Sequence, residues 1–243
     1  SLALRQDGAV RAWGDNSMAG QCAIPAGLGA VRQVAAGGLN SAVLRESGTV
    51  VVWGDDSTGA CTIPANLGSV KSIAIGFGWA MALRNDGSVT CWGDNASGQA
   101  TVPAGTAGIA QVSAGGSHSV AVGADGSLVI WGSNGSGQAT VARLLGDVRA
   151  LGAGATHSLA IDGQGRVSAW GSGMSGESSP PASLVDAVQV AAGQDHSIAR
   201  RATGGVVCWG ANDRGECTVP GSLGLTSSID AGGHFSMALR TIG

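Results

Sequence analysis

The sequence predicts an all-β fold, a β-propeller of four-stranded antiparallel blades, and three observations support this prediction. A repeat of about 39 residues runs through the 243 residues of the chain. Within each copy, short apolar segments alternate with turn residues, and four strands per copy of this length match a propeller blade. Glycine is abundant, at 43 residues, and lacks the period of collagen, which indicates many tight turns. We therefore expect one propeller domain over residues 1–243.

The repeat shows in several series of residues that keep the same phase. Trp-Gly pairs recur at intervals of 39 or 40 residues, at Trp13, Trp53, Trp92, Trp131, Trp170 and Trp209. A series of glycines recurs every 39 residues, at Gly37, Gly76, Gly115, Gly154, Gly193 and Gly232. One Trp per blade at a fixed strand position is expected to fill the seam between neighbouring blades.

Each copy contains four segments with the character of short strands. Examples of the first to the fourth segment are Val70–Ile75, His118–Val122, Ser127–Gly132 and Ala100–Pro103. Between the second and third strands, a pair such as Asp125-Gly126 predicts a tight hairpin turn, because such turns need positive φ. A solenoid of stacked repeats is the alternative to radial blades.

The consensus of the copies, WGDNxxGQxTVPAxLxxVxxIAAGxxHSLALxxDGxVxxWG, resembles the regulator-of-chromosome-condensation repeat. The short fourth-strand linker resembles the compact bacterial form of this repeat, which is found in the type II β-lactamase inhibitor protein. This resemblance covers the whole chain and implies a propeller. It also favours a bacterial protein that is secreted or exposed at the cell surface.

The two ends of the chain are incomplete copies. The chain opens with a second strand, Ser1–Arg5, and closes with a first and second strand in AGGHFSMALR, so the second strand occurs seven times and the others six times. In the family that the chain resembles, seven blades close by pairing strands from the two ends. The resemblance implies a seven-bladed parent that lacks about 30 N-terminal residues, in preference to a closed six-bladed ring.

The predicted strand order places the first-to-second and third-to-fourth loops at one end of the ring, which we call the rim. Half of the 16 acidic residues fall in rim loops, against one base, Arg214; they are Asp15, Asp55, Asp56, Asp94, Glu177, Asp195, Asp213 and Glu216. Such a field attracts a basic partner and repels phosphate, so we predict a partner protein with a basic surface and no nucleic acid. No apolar run approaches the roughly 18 residues of a membrane helix, so no membrane partner is predicted. The alternative is that short acidic side chains simply make good turns.

All four histidines fall in the first-to-second loops. One loop position contains, in successive copies, Asn40, Trp79, His118, His157, His196 and Phe235, with His234 one place earlier than Phe235. Three histidines on consecutive blades suggest a zinc site or a metal-dependent enzyme as an alternative function. Adjacent blades, however, should hold equivalent atoms about 10 Å apart, whereas zinc needs nitrogens at about 2 Å. We therefore predict no metal ligand, no cofactor and no catalytic residue.

Trp79 departs from the repeat, and with Leu39, Phe77 and Phe235 it forms the candidate aromatic anchor of the rim. The predicted partner-binding residues are Leu39, Asn40, Phe77, Trp79, His118, His157, Asp195, His196, His234 and Phe235. The predicted function is a monomeric protein-binding module, inhibitor-like by resemblance, and not an enzyme. Chromatin or small-GTPase binding follows from the family resemblance alone, and the chain lacks the basic patch that it needs.

Two of the five cysteines lie symmetrically about a turn of the last complete copy. Cys208 and Cys217 flank a turn centred between Asn212 and Asp213. Positions equidistant from an antiparallel turn face one another with Cα atoms about 4.5 or 5.5 Å apart, which suits a disulfide. A one-residue shift would turn the two side chains to opposite faces. We expect the pair to be neighbours, able to form a disulfide in an exported protein.

Overall fold

The computed structural model describes residues 1–140 and 147–241. Within these ranges the regular secondary structure is entirely β, in nineteen strands, and no helix is long and apolar enough to cross a membrane. The strands form seven antiparallel sheets, five with three strands and one with two strands at each end of the chain. From the second sheet to the seventh, the first strand of each sheet packs against the first strand of the next. The predicted all-β propeller is confirmed, and its sheets are radial rather than stacked.

The strands fall into three sets according to their place in the repeat. The first strands, which surround the centre, are β3 (Val31–Gly37), β6 (Val70–Ile75), β9 (Ile109–Ala114), β12 (Val148–Ala153), β15 (Ala187–Ala192) and β18 (Thr226–Ala231). The second strands are β1 (Leu2–Leu4), β4 (Asn40–Arg45), β7 (Trp79–Arg84), β10 (His118–Gly123), β13 (His157–Asp162), β16 (His196–Arg201) and β19 (Ser236–Arg240). The third strands are β2 (Val10–Ala12), β5 (Val50–Gly54), β8 (Val89–Gly93), β11 (Leu128–Gly132), β14 (Val167–Gly171) and β17 (Val206–Gly210).

Glycine acts in two different ways in each copy. At the hairpin between the second and third strands, the predicted turn glycines have positive φ, for example +80° at Gly126 and +87° at Gly204. The periodic glycine after the first strand is needed for close packing instead. A Cβ atom at Gly115 would collide with the ring of His118 and with the carbonyl oxygen of Gly154 in the next copy. These contacts explain why this position is glycine in every copy.

The predicted fourth strand is not formed in the described part of the chain, so the full sheets have three strands. Hydrogen bonds to side chains and within turns satisfy backbone N–H groups that would otherwise bond to a neighbouring strand. The Oδ1 atom of Asn95 accepts the N–H of Ala100 at 2.9 Å, and the N–H of Thr101 bonds to the Gly98 carbonyl at 3.0 Å. Pro103 has no N–H to donate. The segment therefore runs as a series of turns along the outside of the sheet.

The Trp-Gly tryptophans fill the seams between sheets, as predicted. The rings of Trp53, Trp92, Trp131, Trp170 and Trp209 are 7–8% exposed. One cluster joins Trp209 of the sixth sheet to Leu159, Ile161 and Leu184 of the fifth. The core is therefore divided into seams, each shared by two neighbouring copies.

The Cys208–Cys217 prediction is confirmed. The two residues are joined by a disulfide, with Cα atoms 5.0 Å apart. Cys208 lies in β17, and Cys217 lies in the loop that replaces the predicted fourth strand, so the loop brings the two together without a strand ladder. Cys22, Cys61 and Cys91 are free thiols.

Candidate functional site

The rim forms as predicted, with the two sets of loops at the same end of the ring. Within one copy, the N–H of Asp94 in the third-to-fourth loop donates to the carbonyl oxygen of Gly78 in the first-to-second loop at 2.9 Å. The same bond joins Ala211 to Asp195 at 2.8 Å. Because these bonds cross from one loop to the other, the Trp79 loop and the acidic loops share one surface.

The three histidines lie beneath this surface rather than on it. His118, His157 and His196 have 0–1% of their surface exposed. Each Nε2 atom lies against the Ser Oγ atom that follows the equivalent position in the next copy, at 2.8 Å for His118–Ser158 and 2.9 Å for His157–Ser197. These residues therefore join neighbouring sheets and do not converge on a common point.

Burial keeps these rings neutral. Desolvation lowers the pKa of His118 to about 4, with a further lowering from His157. The pKa of His157 is also lowered to about 4, first by desolvation. The Ser158 hydroxyl donates its hydrogen to the carbonyl oxygen of Gln138 at 3.3 Å. In the bond between His118 and Ser158 the imidazole is therefore the donor, and its hydrogen is on Nε2. A charged imidazole would have to form inside the seam at a large cost.

No three-ligand metal cluster of His, Cys, Asp and Glu side chains occurs in residues 1–140 and 147–241. The histidines that suggested one are each bonded to a serine of the adjacent copy. Their geometry is that of a structural chain of hydrogen bonds. The metal-dependent alternative therefore finds no support in the described residues.

Trp79 is fully buried, so the expectation that its ring is an exposed anchor is wrong in this structure. Its indole N–H donates to the carbonyl oxygen of Gly116 in the next copy at 3.0 Å. The Trp79 ring occupies the place that an imidazole occupies in the copies with histidine. It packs there with Met81, Leu83 and Trp131. The departure from the repeat at this position is a substitution within the seam.

Asn40 and Leu39 also have small accessible areas. Asn40 is 2% exposed, and its amide donates to the carbonyl oxygen of Asp55. Leu39 and Asp195 are half-buried in their loops. The side chain of Asn40 therefore holds the rim loops together, while Leu39 and Asp195 can contact a partner through part of their surface.

Among the predicted residues, two phenylalanines and one histidine are exposed rather than half-buried or buried. Phe77 is 48% exposed and Phe235 is 41% exposed. Both line the central cavity of about 220 Å³ that the first strands enclose. His234 is exposed beside Phe235, and its Nδ1 atom lies 3.8 Å from Oε1 of the buried Glu216. The equivalent positions in the other copies contain Gly, Ala or Gln, so this ring is an addition to the repeat.

The acidic rim residues divide into two groups. Glu177 and Glu216 are 1% and 6% exposed and turn inward, where their carboxylates accept the N–H groups of Ser175 and Arg214. Asp55 forms a turn by accepting the N–H and hydroxyl of Ser57, and these bonds hold the pKa of its carboxyl below the usual range. Asp15 forms the same turn with Ser17, and Asp56 accepts the N–H of Cys61, so the turn explanation holds for these residues as well. The carboxylates of Asp15, Asp56 and Asp213 are nevertheless exposed, and their charge faces solvent.

The opposite end of the ring balances its charges in pairs. Five Arg–Asp ion pairs lie there, near the second-to-third turns: Arg5–Asp7, Arg84–Asp86, Arg149–Asp147, Arg166–Asp162 and Arg201–Asp186. The rim carboxylates have no such partners apart from His234 near Glu216 in the described residues. The rim loops hold eight of the 16 acidic residues but only one of the 13 basic ones, so the excess of negative charge lies at the rim.

Comparison with protein families identifies the repeat. Four segments, residues 31–60, 70–99, 109–138 and 187–216, match the family model "Regulator of chromosome condensation (RCC1) repeat". No curated protein matches the sequence. Each matched segment begins at a first strand and ends in the following third-to-fourth loop, so the four segments correspond to four of the five three-stranded sheets.

Solved structures share the fold at low sequence identity. Prp20p from Saccharomyces cerevisiae, described with its binding to Gsp1p and histones, has a TM-score of 0.83 and 20% identity over 99% of this chain and 80% of its own. The ectodomain of the Arabidopsis thaliana receptor kinase ACR4 has a TM-score of 0.82 and 22% identity over 100% and 87%. Human WBSCR16 has a TM-score of 0.75 and 21% identity over 88% and 72%. At these identities the likeness establishes the fold.

Proposed function

We propose that this chain of RCC1-type repeats is a protein-binding module, not an enzyme, and that it binds its partner through the rim. The observation that carries the proposal is the pair of exposed phenyl rings, Phe77 and Phe235, at the mouth of the central cavity. Exposed aromatic side chains at a concave surface are typical anchors of protein interfaces.

The charge at the rim supports a partner with a basic surface. The exposed carboxylates of Asp15, Asp56 and Asp213 face solvent there, whereas the carboxylates at the opposite end mostly pair with arginines. A field of one sign speeds the encounter with a protein of opposite charge and disfavours a nucleic acid. The binding set that we propose is therefore smaller than the predicted one: Leu39, Phe77, Asp195, His234 and Phe235, with the exposed aspartates around them.

The remaining predicted residues have an indirect part in this proposal. His118, His157, His196, Asn40 and Trp79 are buried and hold the loops of the rim in place. A rigid scaffold that presents short loops loses little conformational freedom on binding. A bacterial, secreted inhibitor is one form that such a module can take, and the resemblance to the compact bacterial repeat favours it.

A capture experiment with matched variants tests the proposal. The purified chain is immobilised and exposed to proteins of the native cell or culture medium, beside a Phe77→Ala/Phe235→His variant that restores repeat-like residues. Val185→Ser is the control, because Val185 is exposed near the Asp162–Gly165 turn at the opposite end. We expect one partner to be captured by the parent and the control and lost from the double variant.

The charge contribution is tested on the captured partner. We expect Asp195→Asn/Asp213→Asn to slow association and to reduce its dependence on salt, because both carboxylates belong to the rim. A partner that binds the double phenylalanine variant as well as it binds the parent would contradict the proposed site.

A further inference from the structure

The rim differs in charge from one side of the ring to the other. Three consecutive third-to-fourth loops carry exposed or half-buried aspartates: Asp15, Asp55, Asp56 and Asp94. The next two such loops, over residues 133–138 and 172–177, contain one carboxylate, that of Glu177, and it is buried. We call these two loops the neutral sector of the rim. The second of them exposes a large apolar side chain, that of Met174.

Met174 is an addition to the repeat. It is 98% exposed, against 48% for Phe77, so almost none of its surface packs against the protein. The equivalent position in the other loops of the same length contains small or polar residues, namely Ser57, Ala96, Gly135 and Asp213. The fold therefore does not require a methionine at this place.

The loop that carries Met174 is held by other groups. The N–H of Ser172 donates to the carbonyl oxygen of Thr156 at 2.9 Å, which is the bond that joins the two kinds of loop elsewhere in the rim. The N–H of Ser175 donates to Oε2 of Glu177 at 2.8 Å. Because neither bond involves its side chain, Met174 adds a flexible apolar group to a backbone that is already fixed.

Exposure decides which methionine an oxidant reaches, because a thioether does not titrate and reacts in its neutral form. Met81 is fully buried and Met237 is half-buried, while Met18, in the first copy, is 78% exposed. Met174 is thus the most accessible of the four methionines.

The free thiols compete poorly for the same oxidant. Burial raises the pKa of Cys91 to about 12, and it is also the main cause that raises the pKa of Cys61. Cys22 donates its S–H to the carbonyl oxygen of Asp15 at 3.4 Å. A protonated thiol reacts slowly with a peroxide, because the thiolate is the nucleophile. At neutral pH the exposed thioether is therefore the preferred target.

We propose that Met174 is a reversible oxidation site, and that its conversion to the sulfoxide by hydrogen peroxide weakens binding of a partner to the rim. The sulfur attacks one peroxide oxygen and the O–O bond breaks. The second oxygen takes the proton of the first and leaves as water, so the thioether loses two electrons and the peroxide gains them. In the reverse step two thiols of a sulfoxide reductase become a disulfide, and the oxygen leaves as water.

The sulfoxide weakens binding through the cost of removing it from water. The thioether suits an apolar contact, whereas the sulfoxide oxygen needs a hydrogen bond when a partner covers it. This switch rests on the function proposed above, because it assigns an apolar contact with the partner to the neutral sector.

The order of oxidation tests the site without any partner. The full chain is treated with hydrogen peroxide at neutral pH, and the oxygen added to each methionine is followed by peptide mapping with mass spectrometry. We expect Met174 to react as fast as the free peptide of residues 171–178, GSGMSGES, and at least tenfold faster than Met81. Oxidation of Met174 as slow as that of Met81 would overturn the proposal.

Binding of the captured protein tests the switch. All chains carry Met18→Leu, so that Met174 is the methionine that peroxide reaches first, and catalase removes the peroxide before the partner is added. We expect oxidation to weaken binding at least threefold, a sulfoxide reductase to restore it, and Met174→Gln to reproduce the loss. Met174→Leu should bind equally well before and after peroxide.

A methionine at the opposite end of the ring is the matched control. Val185→Met, made together with Met174→Leu, places a thioether at an exposed position far from the rim, and its oxidation should leave binding unchanged. Loss of binding in this control, or equal binding of Met174→Gln and the parent, would overturn the switch and leave the proposed function standing. Capture of no protein by the unoxidised chain would instead overturn the proposed function together with the switch.

Discussion

The interior copies and the two end sheets of this propeller are built from almost the same sequence, yet they differ in how completely that sequence is packed. The tryptophan ring is 7–8% exposed in the interior seams and 47% exposed at Trp13 in the first sheet. The second strands SLALR at the start and SMALR near the end differ at one residue, but each end sheet has only two strands. Burial in this fold is thus a property of the seam between copies rather than of the copy itself.

The largest effect that would sharpen this comparison is the removal of an indole. Trp170→Ala should lower the free energy of unfolding by about 3–5 kcal/mol, because it empties a seam and removes the shorter of the two hydrogen bonds to the Gln138 carbonyl oxygen. Trp13→Ala, in the first sheet, should cost less than about 1 kcal/mol. Urea unfolding followed by circular dichroism measures both values. Equal losses would mean that the end sheet is as well packed as the interior.

A second test measures how stability depends on pH, because this dependence shows whether a buried histidine stays neutral in the interior. The pKa of His157 is lowered from 6.5 to about 4 by burial, so the unfolded chain binds its proton at higher pH than the folded chain. The free energy of unfolding is therefore highest above pH 6.5 and decreases as the pH falls towards 4. For this one residue the decrease is about 3 kcal/mol. His157→Asn, which copies Asn40, should remove that part of the pH dependence.

The control for this test is Asn40→Ala, which alters the equivalent position in another interior copy without removing a titrating group. It should lower stability at all pH values and leave the slope between pH 6.5 and 4 as in the parent. If His157→Asn keeps the parent slope, the imidazole is not held neutral in the seam.

The smallest effect concerns the disulfide, which occurs in the last complete copy and not elsewhere in the described residues. Cys91 and Ala100 occupy the positions of Cys208 and Cys217 in an interior copy. Ala100→Cys should therefore form a second disulfide and reduce the free thiols from three to two, with a gain of at most about 2–3 kcal/mol. Thiol titration with Ellman's reagent under denaturing, non-reducing conditions gives the count. Four free thiols would show that the loop geometry differs between the two copies.

The repeat itself made the fold predictable. The Trp-Gly series and the turn glycines specified the hairpins, and the position of Cys208 and Cys217 about one turn predicted their contact. The fourth strand was predicted wrongly because Asn side chains such as Asn95 take the backbone N–H groups that a strand would use. Residue type alone does not show whether these backbone N–H groups bond to a side chain or to a neighbouring strand.

The candidate site was less predictable than the fold. Trp79 was expected at the surface because its loop lies there, but its side chain turns into the seam, as those of His118 and His157 do. Exposure depends on the direction of the side chain, which the repeat period does not give.

In the interior seams a carbonyl oxygen of one copy accepts the indole N–H of the next copy, as Gln99 accepts that of Trp131 and Gln138 that of Trp170. This arrangement has a consequence for how such a chain can change in length over evolution. Every acceptor belongs to one copy and every donor to the next, so all junctions between interior copies are equivalent. Gain or loss of one unit of about 39 residues, wherever it falls in the interior, joins an existing donor to an existing acceptor and creates no new kind of junction. Unequal recombination between copies can therefore alter the number of sheets without requiring compensating substitutions, and closure of the ring, rather than packing, sets the limit.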